Sequence, residues 1–165
     1  MLLKCISAFI TMTLLLVENV FVKVPESNFF EYVENKQPEY LALLKIPSIN
    51  LEQPLYDIKN NDIDKNIIFL ESSDMPTVHN GNVIIAGHSG ASSVSYFKYL
   101  YKLKIGDLIY LEYNNNNYTY KIDYRYFIDK TGSAEIIRDN NTNTLTLITC
   151  YGKDKQLVLI ANIVK

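Results

Sequence analysis

The chain has 165 residues, 48% hydrophobic and 21% charged, which suits one globular domain plus a short appendage and excludes a disordered chain. A formal net charge of -2 lacks the basic excess of a nucleic-acid binder, so no nucleic acid is expected as a partner. Cysteines and histidines are too few for a disulfide framework or a zinc site. Cys5 lies in an apolar leader and Cys150 in a late strand, with only His79 and His88 besides, so no metal and no cofactor is expected.

Residues 1–24 carry Lys4, then an apolar run from Cys5 to Val17 that Glu18 and Asn19 interrupt and Val20 to Val22 resume. The run is short for a spanning helix, which needs about 20 residues, and suits a signal-peptide core. No small-x-small cleavage site follows, so an uncleaved signal-anchor is expected. A cleaved signal peptide is the alternative, and a buried N-terminal helix the plain one. Either leading reading puts the domain outside the cytoplasm. Residues 25–38 are polar and charged with interspersed aromatics, a linker into a domain spanning 39–165.

The domain opens with a predicted strand at Leu41–Ile46, a turn at Pro47-Ser48, and further strand at Ile49–Leu51 and Pro54–Tyr56. Both prolines fit edge or strand-start positions. A polar connector, Asp57–Lys65, leads to a short apolar strand, Asn66–Leu70, and a loop, Glu71–Asn80. Gly81–His88 is an apolar strand ending in Gly-His, followed by a small-residue loop, Ser89–Ser95. Tyr96–Leu103 can form one or two helical turns, with Phe97, Leu100 and Leu103 on one side. Leu108–Tyr113 and Tyr118–Phe127 alternate strongly and flank Asn114–Asn117, which predicts a long hairpin with the asparagine run as its solvated turn. A loop is expected over Ile128–Asn143. The last strands are Thr144–Cys150 and Gln156–Val164, joined by Tyr151–Lys155. About eight strands and one short helix make an all-β barrel or sandwich.

In Thr144-Leu-Thr-Leu-Ile-Thr-Cys150, apolar and β-branched residues alternate up to a thiol, so rigid backbone can aim it. A thiol needs a nearby base or positive charge to become a good nucleophile. His88 also ends an apolar strand, and two strands ending at one rim would bring imidazole and thiol together. Taken alone, one histidine and one cysteine also read as a surface side chain and a buried one.

The local sequences add to this. Gly81-Asn-Val-Ile-Ile-Ala-Gly-His88, Thr146-Leu-Ile-Thr-Cys150, Leu43-Leu-Lys-Ile-Pro-Ser-Ile-Asn-Leu51 and Phe97-Lys-Tyr-Leu100 leading into Gly106-Asp107-Leu-Ile109 together resemble the sortase family, the cysteine transpeptidases of Gram-positive surfaces. The resemblance runs from about Glu39 to Lys165. It implies an eight-stranded β-barrel with one or two short helices, preceded by an N-terminal membrane segment on the outer face of the cytoplasmic membrane. It implies Cys150 as nucleophile and His88 as general acid and base; Thr149 and Ser89 are candidate substrate contacts, Thr149 reading also as a strand residue with a supporting hydrogen bond and Ser89 as part of a flexible loop. The implied partners are secreted proteins bearing a C-terminal sorting signal, and an amine of peptidoglycan or of a pilin that resolves the thioacyl enzyme.

One position departs from the pattern. Sortases carry an arginine on the final strand; this chain has only Arg125 and Arg138, both before Cys150, and the alignment of the last strand puts Gln156 in that place, beside Lys155. Three readings stay open: Gln156 serves as a neutral donor, Lys155 or Lys153 swings in as a point charge, or the enzyme is weakened into a module that binds cell-wall peptides or exported proteins. Arg138 is a further, weaker substitute. Asp62, Asp64, Glu71 and Asp74 match no calcium-loop spacing and read as scattered surface carboxylates.

Overall fold

The computed structural model describes residues 40–57, 59, 61–134, 136, 138 and 141–164. The expectations for residues 1–24 and 25–38 lie outside them. No described helix is long and apolar enough to cross a membrane.

Alternating apolar residues build eight strands: β1 Ala42–Ile46, β2 Leu51–Leu55, β3 Ile68–Phe69, β4 Asn82–Ala86, β5 Leu108–Tyr113, β6 Asn116–Asp129, β7 Thr144–Tyr151 and β8 Lys155–Ile163. They form one sheet in the order β2-β1-β5-β6-β8-β7-β4-β3, curled into a nearly closed barrel. All pairings are antiparallel except β4 with β7, which run parallel. The core is the inward row of each strand: Leu44 and Ile46, Ile109 and Leu111, Tyr120 and Ile122, Leu145 and Leu147, Leu157 and Leu159, Val83 and Ile85. Removing a side chain of this size from water contributes about 1.5–3 kcal/mol, so the alternation itself fixes which face of each strand turns inward.

All five residues of β4 are buried, as its continuous apolar run requires of a strand covered on both faces. Beside it, two loops are tied together. Arg138 Nε pairs with Asp74 Oδ2 at 2.8 Å, Arg138 Nη2 donates to Ser72 O at 2.7 Å, and Asn143 Nδ2 donates to Pro76 O at 3.4 Å. Asp74 Oδ2 also accepts the Asn82 N–H at 2.9 Å. That backbone bond first, and the guanidinium second, hold the Asp74 carboxyl below the usual range.

Several boundaries differ from expectation for local reasons. Pro47–Ile49 is a 3-10 turn closed by Asn50 in the left-handed region (φ 52°), so Ile49 is not strand. Pro54 lies within β2, which is possible because β2 is a sheet edge and needs no N–H from proline on its open side. The asparagine run gives the hairpin only two turn residues, Asn114 (φ 49°) and Asn115 (φ 60°), the left-handed pair of a tight two-residue loop. Asn116 and Asn117 are already strand, opposite Tyr113 and Glu112. β6 runs on to Asp129, beyond the expected loop start at Ile128. Tyr96–Lys102 is a 3-10 helix that buries Phe97 and Leu100, and Arg125 Nη1 caps its end by donating to Tyr101 O and Leu103 O.

Candidate active site

Strand β7 is stiff and closed over its first four residues and opens toward its last. Leu145 and Leu147 point into the core, so by alternation Thr146, Ile148 and Cys150 belong to the outer face. Cys150 is directly opposite Gln156 across the β7–β8 ladder, which puts both side chains on that face. The three-residue turn between these strands is made possible by Gly152 at φ 63°.

On the other side, β4 pairs with β7 in parallel register, Ile84 with Thr146 and Ala86 with Ile148. The ladder continues one step beyond the strand, with the Gly87 N–H donating to Ile148 O at 3.2 Å. By continuation of that register, His88 and Gln156 would flank Cys150, one from each neighbouring strand end.

The β4 side is closely held. A Cβ on Gly87 would stand 2.8 Å from Ile67 Cγ2 and 2.9 Å from Phe97 Cδ2, so only glycine fits there without a shift. Thr149 Oγ1, buried on the inner face, donates to Gly87 O at 2.7 Å. Ser89 Oγ donates to Cys150 O. His88 O accepts the Phe97 N–H at 3.0 Å. Thr149 and Ser89, expected beside a substrate, thus direct their hydroxyls at backbone carbonyls of the two strand ends.

The imidazole of His88 has a carboxylate partner: Nε2 is 3.1 Å from Asp64 Oδ1. Asp64 is mounted on a turn in which its own N–H donates to Asp62 Oδ1 at 3.0 Å and Lys65 Nζ meets Asp62 Oδ2 at 2.9 Å. The Lys65 ammonium, with that N–H, holds the Asp62 carboxyl below its ordinary range. Asn61 Nδ2 donates to Phe69 O at 2.6 Å and fastens the turn to β3. The plain surface role expected for Asp64 is therefore incomplete; the two residues are 24 apart in sequence, and no local pattern links them. Among the described residues, no hydrogen bond joins Cys150 to His88.

Cys150 lines a cavity of about 360 Å³ with Thr149, Tyr151 and Gly152, with Ser89 and Gly90, and with Phe97, Lys98 and Tyr101 of the 3-10 helix. Tyr151 packs its ring 4.8 Å from Phe127 and 6.4 Å from Tyr101, making a half-exposed aromatic rim. This rim and Lys98 were not legible as site residues, since tyrosine is frequent throughout the chain. A second cavity, about 330 Å³, is lined by Asp64, His88, Ser89 and Gly90 among others.

The candidates for the missing arginine separate clearly. Gln156 lies opposite Cys150, its amide Nε2 only loosely engaged with Lys130 O at 3.5 Å. Lys155 is one residue away, opposite Tyr151 and Asp129, and its Nζ sits 2.6 Å from Asp129 Oδ1. That ammonium keeps the Asp129 carboxyl low. Lys153 is in the exposed turn. Arg125 and Arg138 are occupied with the helix end and the loop tie described above. Among the described residues, no group of three or more metal-ligating side chains could hold an ion.

A family model described as the sortase domain matches residues 44–164. The chain is 28% identical over 121 residues to sortase A of Bacillus anthracis, covering 68% of this chain and 52% of that protein. It is 28% identical over 111 residues to sortase D of Bacillus subtilis (strain 168), covering 67% and 54%. It thus spans about half the length of these curated relatives. Among solved structures, sortase A from Corynebacterium diphtheriae aligns with a TM-score of 0.68 at 25% identity, over 77% of this chain and 61% of that one.

Proposed function

The chain belongs to the sortase family, and on that premise we propose that it is a cysteine transpeptidase with Cys150 as nucleophile and His88 as general acid and base. The observation that carries this reading is the place of Cys150 at the end of β7, opposite Gln156 and beside the strand end that bears His88, with Cys150 lining the aromatic-rimmed cavity. The similarity to sortase A of Bacillus anthracis and sortase D of Bacillus subtilis supports the same activity class.

The reaction has two halves. Cys150 thiolate attacks a backbone carbonyl in the sorting signal of a secreted protein. The C–N bond breaks as His88 gives a proton to the departing amine, leaving a thioester on Cys150. An amine from peptidoglycan or a pilin then attacks that thioester, His88 takes its proton, and the thiolate leaves. A free thiol and a free imidazole titrate at about 8.5 and 6.5, so the thiolate–imidazolium pair is the minority form of such a couple in water. The segment 1–24 is assigned as the anchor that holds this site at the outer face of the cytoplasmic membrane.

In this reading Gln156 is the donor to the developing oxyanion. It is opposite the nucleophile, while Lys155 is turned to Asp129. A neutral amide donor is about half as strong as a charge-assisted one, so the site works with a weaker oxyanion contact than an arginine would give. The test is mass spectrometry of the protein incubated with a sorting-signal peptide library. A thioacyl adduct is expected on the wild type and none on Cys150→Ala, with amine-dependent product in place of hydrolysis. An adduct or product that persists in Cys150→Ala refutes the assignment.

A further inference from the structure

The carboxylate beside His88 goes beyond the cysteine–histidine chemistry just assigned, although it rests on that reading. Asp64 Oδ1 lies 3.1 Å from His88 Nε2, and a carboxylate accepts but does not donate. The bond therefore requires the proton on Nε2, whatever the charge of the ring. In neutral imidazole only one nitrogen carries hydrogen, and the partner of that nitrogen decides which one it is. We propose that Asp64 is a positioning residue that fixes His88 as the Nε2–H tautomer, so that Nδ1 is the nitrogen that exchanges the proton during catalysis.

Two features of the fold make Asp64 a built partner instead of a chance neighbour. Its turn is closed by its own N–H on Asp62 and by the Asp62–Lys65 ion pair, and Asn61 anchors the turn to β3, the strand next to β4. His88 is held on its side by the Phe97 N–H on its carbonyl and by the tight seat of Gly87. Across the neighbouring strand ends the order thus becomes carboxylate, imidazole, thiol, amide. Proton accounting stays simple. In acylation Nδ1–H of the imidazolium protonates the leaving amine; in resolution bare Nδ1 takes a proton from the attacking amine. Nε2–H remains on Asp64 throughout.

Asp64 is exposed, with a side chain 85% accessible, so substitutions there leave the core untouched. The experiment reads the ring nitrogens of His88 by 15N NMR in the neutral range, with His79→Gln used for assignment. The Nε2–H form is expected to dominate in the wild type, to persist in Asp64→Asn, whose amide oxygen still accepts, and to give way to a tautomer mixture in Asp64→Ala. A positioned acid–base group contributes about 10²–10⁴-fold, and losing only its orientation is expected to cost about tenfold in kcat with KM unchanged. Asp64→Asn should recover most of that loss. A wild-type ring that is mixed or Nδ1-protonated overturns the proposal, as does an Asp64→Ala ring that is unchanged. The tautomer is read without turnover, so an inactive Cys150 would refute the reaction assignment and leave this one standing.

Discussion

The two strands that flank Cys150 hold their neighbouring residues differently. On the β4 side, every contact is short and directional: Gly87 seated against Ile67 and Phe97, Thr149 on Gly87 O, Ser89 on Cys150 O, and Asp64 on the imidazole. On the β8 side, Gln156 is placed by the ladder alone, and its amide touches one carbonyl at 3.5 Å. The difference teaches where the site relies on order. Under the proposed mechanism the acid–base side is fastened, whereas the oxyanion side lacks the preorganisation that makes such a donor effective, so a loosely tethered neutral amide works there at reduced strength.

Substitutions can break this contrast in graded steps. The largest effect is expected on the fastened side. His88→Gln should lower kcat/KM by about 10²–10⁴-fold, the usual contribution of a general acid and base. Gln156→Ala should cost less, about tenfold, because the donor it removes is neutral, whereas Gln156→Arg should raise kcat by supplying a charged donor opposite Cys150. Steady-state kinetics on one peptide would compare all three. If Gln156→Ala proved as damaging as His88→Gln, the loose flank would be as critical as the tight one, and the contrast would be lost.

Gly87→Ala sharpens the same contrast through stability. The added methyl group meets Ile67 and Phe97 below 3.0 Å, and overpacking of this kind costs about 1–3 kcal/mol. A lower midpoint in urea is expected, together with a drop in kcat, because the strained residue precedes His88. An unchanged midpoint would mean that the seat is slack. The smallest effect is expected at Lys155. Its pair with Asp129 is exposed on both sides, and such pairs add little to stability. Lys155→Ala should leave kcat within about twofold; a loss comparable to that of Gln156→Ala would make the lysine the oxyanion donor.

Much of this was legible in the sequence because it depends on short-range pattern. Alternation in Thr144–Cys150 and in Leu108–Tyr113 marks strands with one buried face, and the thiol at the end of one of them marks the site. Matching Leu157–Val164 to the family's final strand puts Gln156 in the place of the arginine, and the ladder sets that residue opposite Cys150. What stayed hidden depends on backbone geometry or on distance along the chain. Asn116 and Asn117 read as turn because asparagine disfavours strands, yet a tight hairpin needs only two left-handed residues and leaves the next two free to pair. Asp64 looks like any solvated carboxylate until β3 is laid beside β4 and brings its turn to the imidazole. Arg138 looks like a free charge until the two loops beside β4 meet.

The parallel pairing of β4 with β7 also bears on how the protein reaches its working form. Thr149 and Gly87, which share a hydrogen bond, are 62 residues apart, and the hairpin of β5 and β6 is made in between. Closing a loop of that length gains nothing until both strands are in register, so contacts of this kind come late and slowly. The ends of β4 and β7, which lead to His88 and Cys150, meet only at that step. A chain still folding therefore holds its imidazole and its thiol apart, and aligns the two strand ends only on completing its barrel.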